Sequence, residues 1–298
     1  MQPVVDRRKL LASAAAAALL AAPRGWASLG PGGALRVGLT GVVVREYMRS
    51  FNRLADYLAL RLGRPVEFVL RRSYRDIMDL LERGELDAAW ICGYPFVKPR
   101  NPEYLSLLVA PVYRGSPLYR SLLIVPSASS AASIIDLRGS VFAFSDPDSN
   151  SGYLVPRTTL ADAGFNPDQF FRMSFFTYSH AETVLAVARS VADGGSVDSY
   201  VYNTLQKFEP ETVSGTRVIA QSRQFGFPPI VVRNDLAPQI RDRFRDALIG
   251  MASDAQAVPV LALLDLDGFT EVSPALYDPI REMAKRFAKA ATAEVPLQ

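Results

Sequence analysis

The chain has 298 residues, 49% hydrophobic and 21% charged, a composition that excludes disorder and allows two domains with a sizeable core. Its formal charge is +3 and its isoelectric point is near 9.0, but Arg7, Arg8, Lys9 and Arg24 against Asp6 account for the whole excess. The balance from residue 28 onward is neutral, so charge gives no support to a nucleic-acid-binding surface.

Residues 1–27 read as an export signal. Asp6-Arg7-Arg8-Lys9-Leu10-Leu11 precedes an Ala/Leu stretch to Ala22, and Gly25-Trp26-Ala27 supplies small residues for cleavage before Ser28. The paired arginines and mild hydrophobicity predict the twin-arginine route and a periplasmic mature protein. The stretch from Leu10 to Ala22 is shorter than the ~20 residues that span a bilayer. No later stretch suits a span, and no cysteine stands near the cleavage site to carry a lipid. Cys92 is the only cysteine, which excludes an internal disulfide and leaves it as either a small buried hydrophobe or a reactive group.

In chain order, residues 35–39 read as a strand, and Phe51, Leu54, Leu58 and Leu62 mark one face of a helix. The order repeats with a strand at 66–70, a helix at 74–83 carrying Ile77, Leu80 and Leu81, and a strand at 87–91. Such alternation predicts parallel strands with crossover helices. Residues 105–119, with their Pro and Gly, read as a crossing between lobes. Strands at 119–125 and 141–144, helices at 152–163 and 182–192, and a strand at 198–202 follow. A second crossing at 220–229 leads to a strand at 229–232 and helices at 240–251 and 277–291. The two crossings predict an α/β clamshell: a first lobe of residues 34–112 plus 225–298, an inserted lobe of 113–224, and a cleft faced by helix-starting loops.

Ser149-Asn150-Ser151-Gly152 falls between a strand and an apolar helix, where hydroxyls and free N–H groups attract an anion, or where one serine simply caps the helix. His180, the only histidine, stands before another helix in a structural or a hydrogen-bonding role. Tyr74 opens a helix and Tyr94 follows a strand, so each can present a hydroxyl to the cleft or pack with it wet. Thr40 and Gly41, at the end of the first strand, are candidates of the same kind, although GLTG is no dinucleotide fingerprint. Cys92 follows the 87–91 strand at the mouth where such sheets bind ligands. Its soft sulfur suits trivalent arsenic better than phosphonate. Ser149 or Ser151 with His180 and Asp198 gives the alternative of a secreted hydrolase, against which stands the missing G-x-S-x-G elbow. One His and one Cys are too few for a zinc site, and no cofactor or metal is expected.

Four motifs in order, YRDIMDLLERGELDAAWICGYPFV, YRGSPLYRSLLIV, IIDLRGSVFAFSDPDSNSGYLVP and YSHAETVLAVA, carry a family resemblance. Over roughly residues 34–250 the chain resembles the periplasmic phosphonate-binding PhnD-like family of ABC-transporter solute-binding proteins. The resemblance implies a two-lobed, type II-like periplasmic-binding fold, no catalysis, and a small oxyanion trapped between the lobes. That ligand is a phosphonate, phosphite or phosphate, or, as in some relatives, an arsenic oxyanion such as arsenite. The implied partner is an ABC permease or a membrane histidine kinase sensor domain. The chain itself is expected to be a monomer outside the membrane. The resemblance sets the family's oxyanion-binding Ser-x-Ser loop on Ser149, Asn150 and Ser151, and its oxyanion-donating histidine on His180. Asn150 replaces the commoner Thr and removes one hydroxyl. Relatives that bind aminoalkyl phosphonates use acids around the segments that read here Tyr202-Asn203-Thr204 and Phe227-Pro228-Pro229. No acid stands in either, which argues against an aminoethyl ligand. Arsenite-binding relatives use a cleft cysteine, and Cys92 is the candidate for that role.

Overall fold

The computed structural model describes residues 33–40, 48–98 and 104–293. The export signal of residues 1–27 and Gly41 lie outside the described residues. The chain begins with β1 (Leu35–Leu39), α1 (Met48–Leu62), β2 (Val66–Leu70), α2 (Tyr74–Glu82), β3 (Ala88–Trp90), α3 (Gly93–Val97) and β4 (Leu105–Val112). Next come β5 (Leu118–Tyr119), β6 (Ser121–Pro126), β7 (Val141–Phe144), α4 (Val155–Asp162), β8 (Met173–Phe176) and α5 (His180–Ala188). They are followed by β9 (Gly194–Asp198), α6 (Ser199–Phe208), α7 (Pro210–Ser214) and β10 (Thr216–Gln221). The last part holds β11 (Phe225–Gly226), β12 (Ile230–Arg233), α8 (Pro238–Ile249), α9 (Val258–Leu264), β13 (Gly268–Thr270) and α10 (Asp278–Ala293).

Two mixed sheets organise these elements into a two-lobed α/β periplasmic-binding fold. The first has the order β13-β4-β12-β3-β1-β2, with β1 parallel to β2 and β3 and with β12 antiparallel between β3 and β4. The second has the order β10-β6-β9-β7-β8, with β7 parallel to β8 and β9. β3 and β7 are buried along their whole length, as strands covered on both faces must be. α1 turns Phe51, Leu54, Leu58 and Leu62 into the core, the 3.6-residue period at work. β5 and β11, which fall in the two segments expected to cross between lobes, pair as a short ribbon, Tyr119 opposite Phe225 and Leu118 opposite Gly226.

Three expectations are corrected. Residues 105–112, taken as part of a crossing, form β4 inside the first sheet, where Pro111 lies opposite Phe269 of edge strand β13. The crossing is correspondingly shorter. Residues 198–202, expected as a strand, instead end β9 at Asp198 and begin α6 at Ser199, because Asp198 Oδ1 accepts the N–H groups of Tyr200 and Val201 at 2.7 and 3.4 Å. That cap outweighs the strand preference of a Tyr-Val-Tyr run. Gly194-Gly195, a pair that in the sequence alone reads as a tight turn before Asp198, lies in β9. Among the described residues no single helix is long and apolar enough to cross a membrane.

Candidate functional site

The segment after β7 leaves the sheet through Ser145 and Asp146 and turns into Ser149-Asn150-Ser151-Gly152, all fully buried or nearly so. Ser149 is extended and caps the following turn, its Oγ accepting the N–H of Gly152 at 2.9 Å. The turn over Asn150–Leu154 is a single π turn that runs directly into α4. From the neighbouring strands, Ser121 Oγ and Ser196 Oγ donate to the Ser151 carbonyl at 2.7 and 2.8 Å. The loop is therefore fixed to β6 and β9 by its backbone, which leaves the Ser151 hydroxyl for another partner.

The starts of α2 and α3 and the β5–β11 ribbon meet this loop at three points. The backbone N–H of Tyr74, at the start of α2, donates to Asp146 Oδ2 at 3.1 Å. The N–H of Asn150 donates to Cys92 Sγ at 3.2 Å. Asn150 Nδ2 donates to Tyr119 Oη at 2.9 Å, and Cys92 Sγ lies 4.0 Å from the same hydroxyl. Within this cluster Tyr74 Oη, Asn150 Oδ1 and Ser151 Oγ are buried with no hydrogen-bond partner among the described residues. Each such atom costs roughly 1–3 kcal/mol unless something completes it. Burial holds the Tyr74 and Tyr119 hydroxyls well above the usual tyrosine range, so both remain protonated donors.

His180 enters from the first turn of α5. Its Nδ1 accepts the backbone N–H of Asp198 at 3.1 Å and lies 2.9 Å from Ser145 Oγ. An acceptor Nδ1 puts the ring proton on Nε2. Burial pushes the imidazole pKa down to about 3, so the ring is a neutral donor at physiological pH. The Asp198 carboxyl caps α6, and burial pushes its pKa up to about 7. Nδ1 thus meets the backbone of Asp198 and not its carboxylate, and Ser149 Oγ is engaged as a cap. A hydrolytic triad is not assembled. Among the described residues no group of His, Cys, Asp and Glu is placed to hold a metal ion.

These two buried groups act on stability in opposite directions. Between pH ~4 and 7 native Asp198 holds a proton that the unfolded chain has lost, so its contribution falls as pH rises, by roughly 1.4 kcal/mol for each unit of that window. His180 does the reverse between about 3 and 6.5, where the unfolded chain binds the extra proton. Asp198→Asn keeps the capping oxygen and removes the first effect only. The stability of this variant relative to wild type is expected to rise between pH 5 and pH 8 in denaturant titrations. A difference that does not change with pH would contradict the buried, raised carboxyl.

The structure brings Tyr74, Cys92, Ser149, Asn150, Ser151 and His180 into one buried cluster. Thr40 is buried too, but its Oγ1 donates to the Trp90 carbonyl at 3.5 Å within the first sheet. Tyr94 is buried on α3 with Lys98 over its ring at 5.2 Å, and among the described residues no hydrogen bond joins its hydroxyl to the cluster, although burial and the nearby Asp148 raise its pKa. Sequence reasoning missed Tyr119, Ser145 and Asp146. The first was read as part of a crossing, and the other two lie inside the quoted SDPDSNSG motif, where a strand end followed by closely spaced polar residues was the available signal.

The family model described as "ABC transporter, phosphonate, periplasmic substrate-binding protein" matches residues 43–277. The chain is 27% identical over 232 residues to the phosphonates-binding periplasmic protein of Escherichia coli (strain K12), covering 75% of this chain and 68% of that one. A binding protein component of an ABC phosphonate transporter from Pseudomonas aeruginosa superposes with a TM-score of 0.82 at 23% identity, over 89% of this chain and 91% of that one. PhnD1 from Prochlorococcus marinus (MIT 9301), solved in complex with methylphosphonate, gives 0.77 at 19% identity, over 87% and 99%. With the family model spanning most of the chain, this protein belongs to the periplasmic substrate-binding proteins of phosphonate ABC transporters.

Proposed function

We propose that the chain is a periplasmic receptor that traps a small phosphorus oxyanion, a phosphonate or phosphate, and passes it unchanged to an ABC permease. The observation that carries this reading is the trio of buried, unpartnered polar atoms, Tyr74 Oη, Asn150 Oδ1 and Ser151 Oγ, beside the start of the π turn and α4. Hydroxyls and backbone N–H groups at a helix start are donors suited to an oxyanion. None of these groups is a cation, so the anion is held by neutral dipoles: the Tyr74 and Ser151 hydroxyls donate to it, and Asn150 Oδ1, an acceptor, takes its protonated oxygen. The lobes of residues 34–112 plus 225–298 and of 113–224 then close about the β5–β11 ribbon, Tyr74 and Cys92 coming from one and the Ser149–Gly152 loop from the other. Of the two partners the sequence suggests, the permease is the one that family membership supports.

The arsenic reading has less behind it. Burial pushes the Cys92 thiol up to about 11, and its sulfur already accepts the Asn150 N–H. A lone protonated thiol gives a soft centre a single weak ligand. Calorimetry on the mature protein with methylphosphonate, phosphite, phosphate and arsenite tests both readings. A phosphorus anion is expected to bind, with Ser151→Ala weakening it about 5- to 150-fold and Cys92→Ser leaving it within a few-fold. Unchanged affinity in Ser151→Ala sinks the cage. Arsenite binding that disappears in Cys92→Ser transfers the site to a soft ligand.

A further inference from the structure

A second concavity, of about 590 Å³, opens on the far side of Tyr119, against β5, β6, α6 and β10. Tyr119 is common to the two sites: it is among the residues lining this pocket, and its hydroxyl accepts Asn150 Nδ2 at 2.9 Å. Ser199, next in the chain to Asp198, lines it as well. The charged residues of the lining are Arg114 and Arg120, and none of the lining residues is Asp or Glu. Arg120 Nη1 donates to the Ser222 carbonyl at 2.5 Å, which anchors the guanidinium at the wall. Arg114 lies over the Tyr113 ring at 5.0 Å. Tyr113 is itself only 7% exposed and buries a hydroxyl that has no hydrogen-bond partner among the described residues. Asn203 of α6 adds an amide to the same lining.

This volume lies within the roughly 300–1,000 Å³ of small-molecule sites and exceeds what an inorganic oxyanion or a methyl group fills. Two guanidiniums in a lining that holds no carboxylate favour an acidic group, which arginine takes in bidentate fashion, and they repel an ammonium. We propose that this pocket receives the organic end of the ligand and selects a tail that carries a carboxylate, making the preferred substrate a carboxylated organophosphonate. The proposal rests on the phosphorus-oxyanion reading of the adjoining cage. Tyr113 supplies a donor to the tail, and Tyr119 positions the junction between its two ends.

Calorimetry with phosphonoacetate, phosphonoacetamide, 2-aminoethylphosphonate and methylphosphonate separates charge from size, because the first two share a shape and differ in the carboxylate charge. Phosphonoacetate is expected to bind at least ~10-fold more tightly than the amide, with the aminoethyl compound weakest. The ratio of acid to amide is expected to fall toward one in Arg114→Gln and with rising salt. Asn203→Asp, which adds a carboxylate to the lining, is expected to shift the preference toward the amine. Methylphosphonate binding without discrimination between acid and amide, or with the amine preferred by wild type, overturns the assignment of the pocket and leaves the cage standing. Failure of every phosphonate and of phosphate to bind overturns the cage reading, and the pocket assignment with it.

Discussion

Gly152→Ala is expected to abolish oxyanion binding and to lower the melting temperature by roughly 2–10 °C. An alanine Cβ at this position would lie 2.5 Å from both Cβ and Oγ of Ser145, and 3.1 Å from Ser149 Oγ. Ser145 is not free to give way. Its Oγ lies 2.9 Å from His180 Nδ1, 3.1 Å from Thr183 Oγ1 and 3.1 Å from the Ser196 carbonyl. Relieving the clash therefore moves the loop or breaks the contacts that orient the histidine, and either course displaces the Asn150 and Ser151 side chains from the cage. Overpacking of this kind costs about 1–3 kcal/mol in stability, and the loss of several aligned donors is expected to reduce affinity more than 100-fold. Gly250→Ala serves as the control, since a Cβ there meets nothing within 4 Å. Calorimetry and thermal melts on the two variants decide the matter. Wild-type affinity and melting in Gly152→Ala would mean that the loop is loosely held and that the close approach of Gly152 to Ser145 has no part in the site.

How much of this was legible in the sequence depends on the range of the interaction involved. The alternation that builds the first sheet is local: β1, β2 and β3 show as short apolar runs and α1 and α2 as apolar stripes, because period 2 and period 3.6 leave their marks within ten residues. The capping turn at Ser149–Gly152 was legible for a similar reason, since closely spaced serines and a glycine between a strand and a helix make a capping pattern whatever the tertiary structure. Tyr119 was not, because it takes its place by pairing with Phe225 on the returning segment, a partner that local pattern does not name. Thr40 shows the converse error. Its place at the end of β1 was readable, but the direction of its Oγ1, toward the Trp90 carbonyl, depends on a neighbouring strand. Likewise, the β-propensity of Ser-Tyr-Val-Tyr gave way to the capping carboxyl of Asp198, whose hydrogen bonds decide the conformation before packing does.

His180→Ala is expected to weaken oxyanion binding by about 10- to 150-fold and to destabilise the fold by roughly 2–4 kcal/mol. Two losses combine. On the function proposed above the anion loses the Nε2–H donor, and the buried Asp198 N–H loses the acceptor it meets at 3.1 Å. His180→Gln, which retains a donor and an acceptor in a smaller group, is expected to recover part of both. The protonation state can be read separately from affinity, because His180 is the only histidine in the chain and an untagged protein gives a single set of imidazole signals. With the pKa pushed down to about 3 by burial, nitrogen-detected NMR is expected to show the Nε2–H tautomer unchanged from pH 8 to pH 5. Across that range the pH dependence of binding then belongs to the ligand's own ionisation and to Asp146 and Asp198, whose carboxyls burial pushes up to about 6 and about 7, both inside it. Deprotonated Asp146 and Asp198 beside a bound anion are like charges, so affinity is expected to decline as pH rises through about 6 and then about 7. An imidazole that titrates near 6.5 would mean a solvated, cationic donor at mildly acidic pH, and the cage would then hold its anion by charge and not by neutral dipoles.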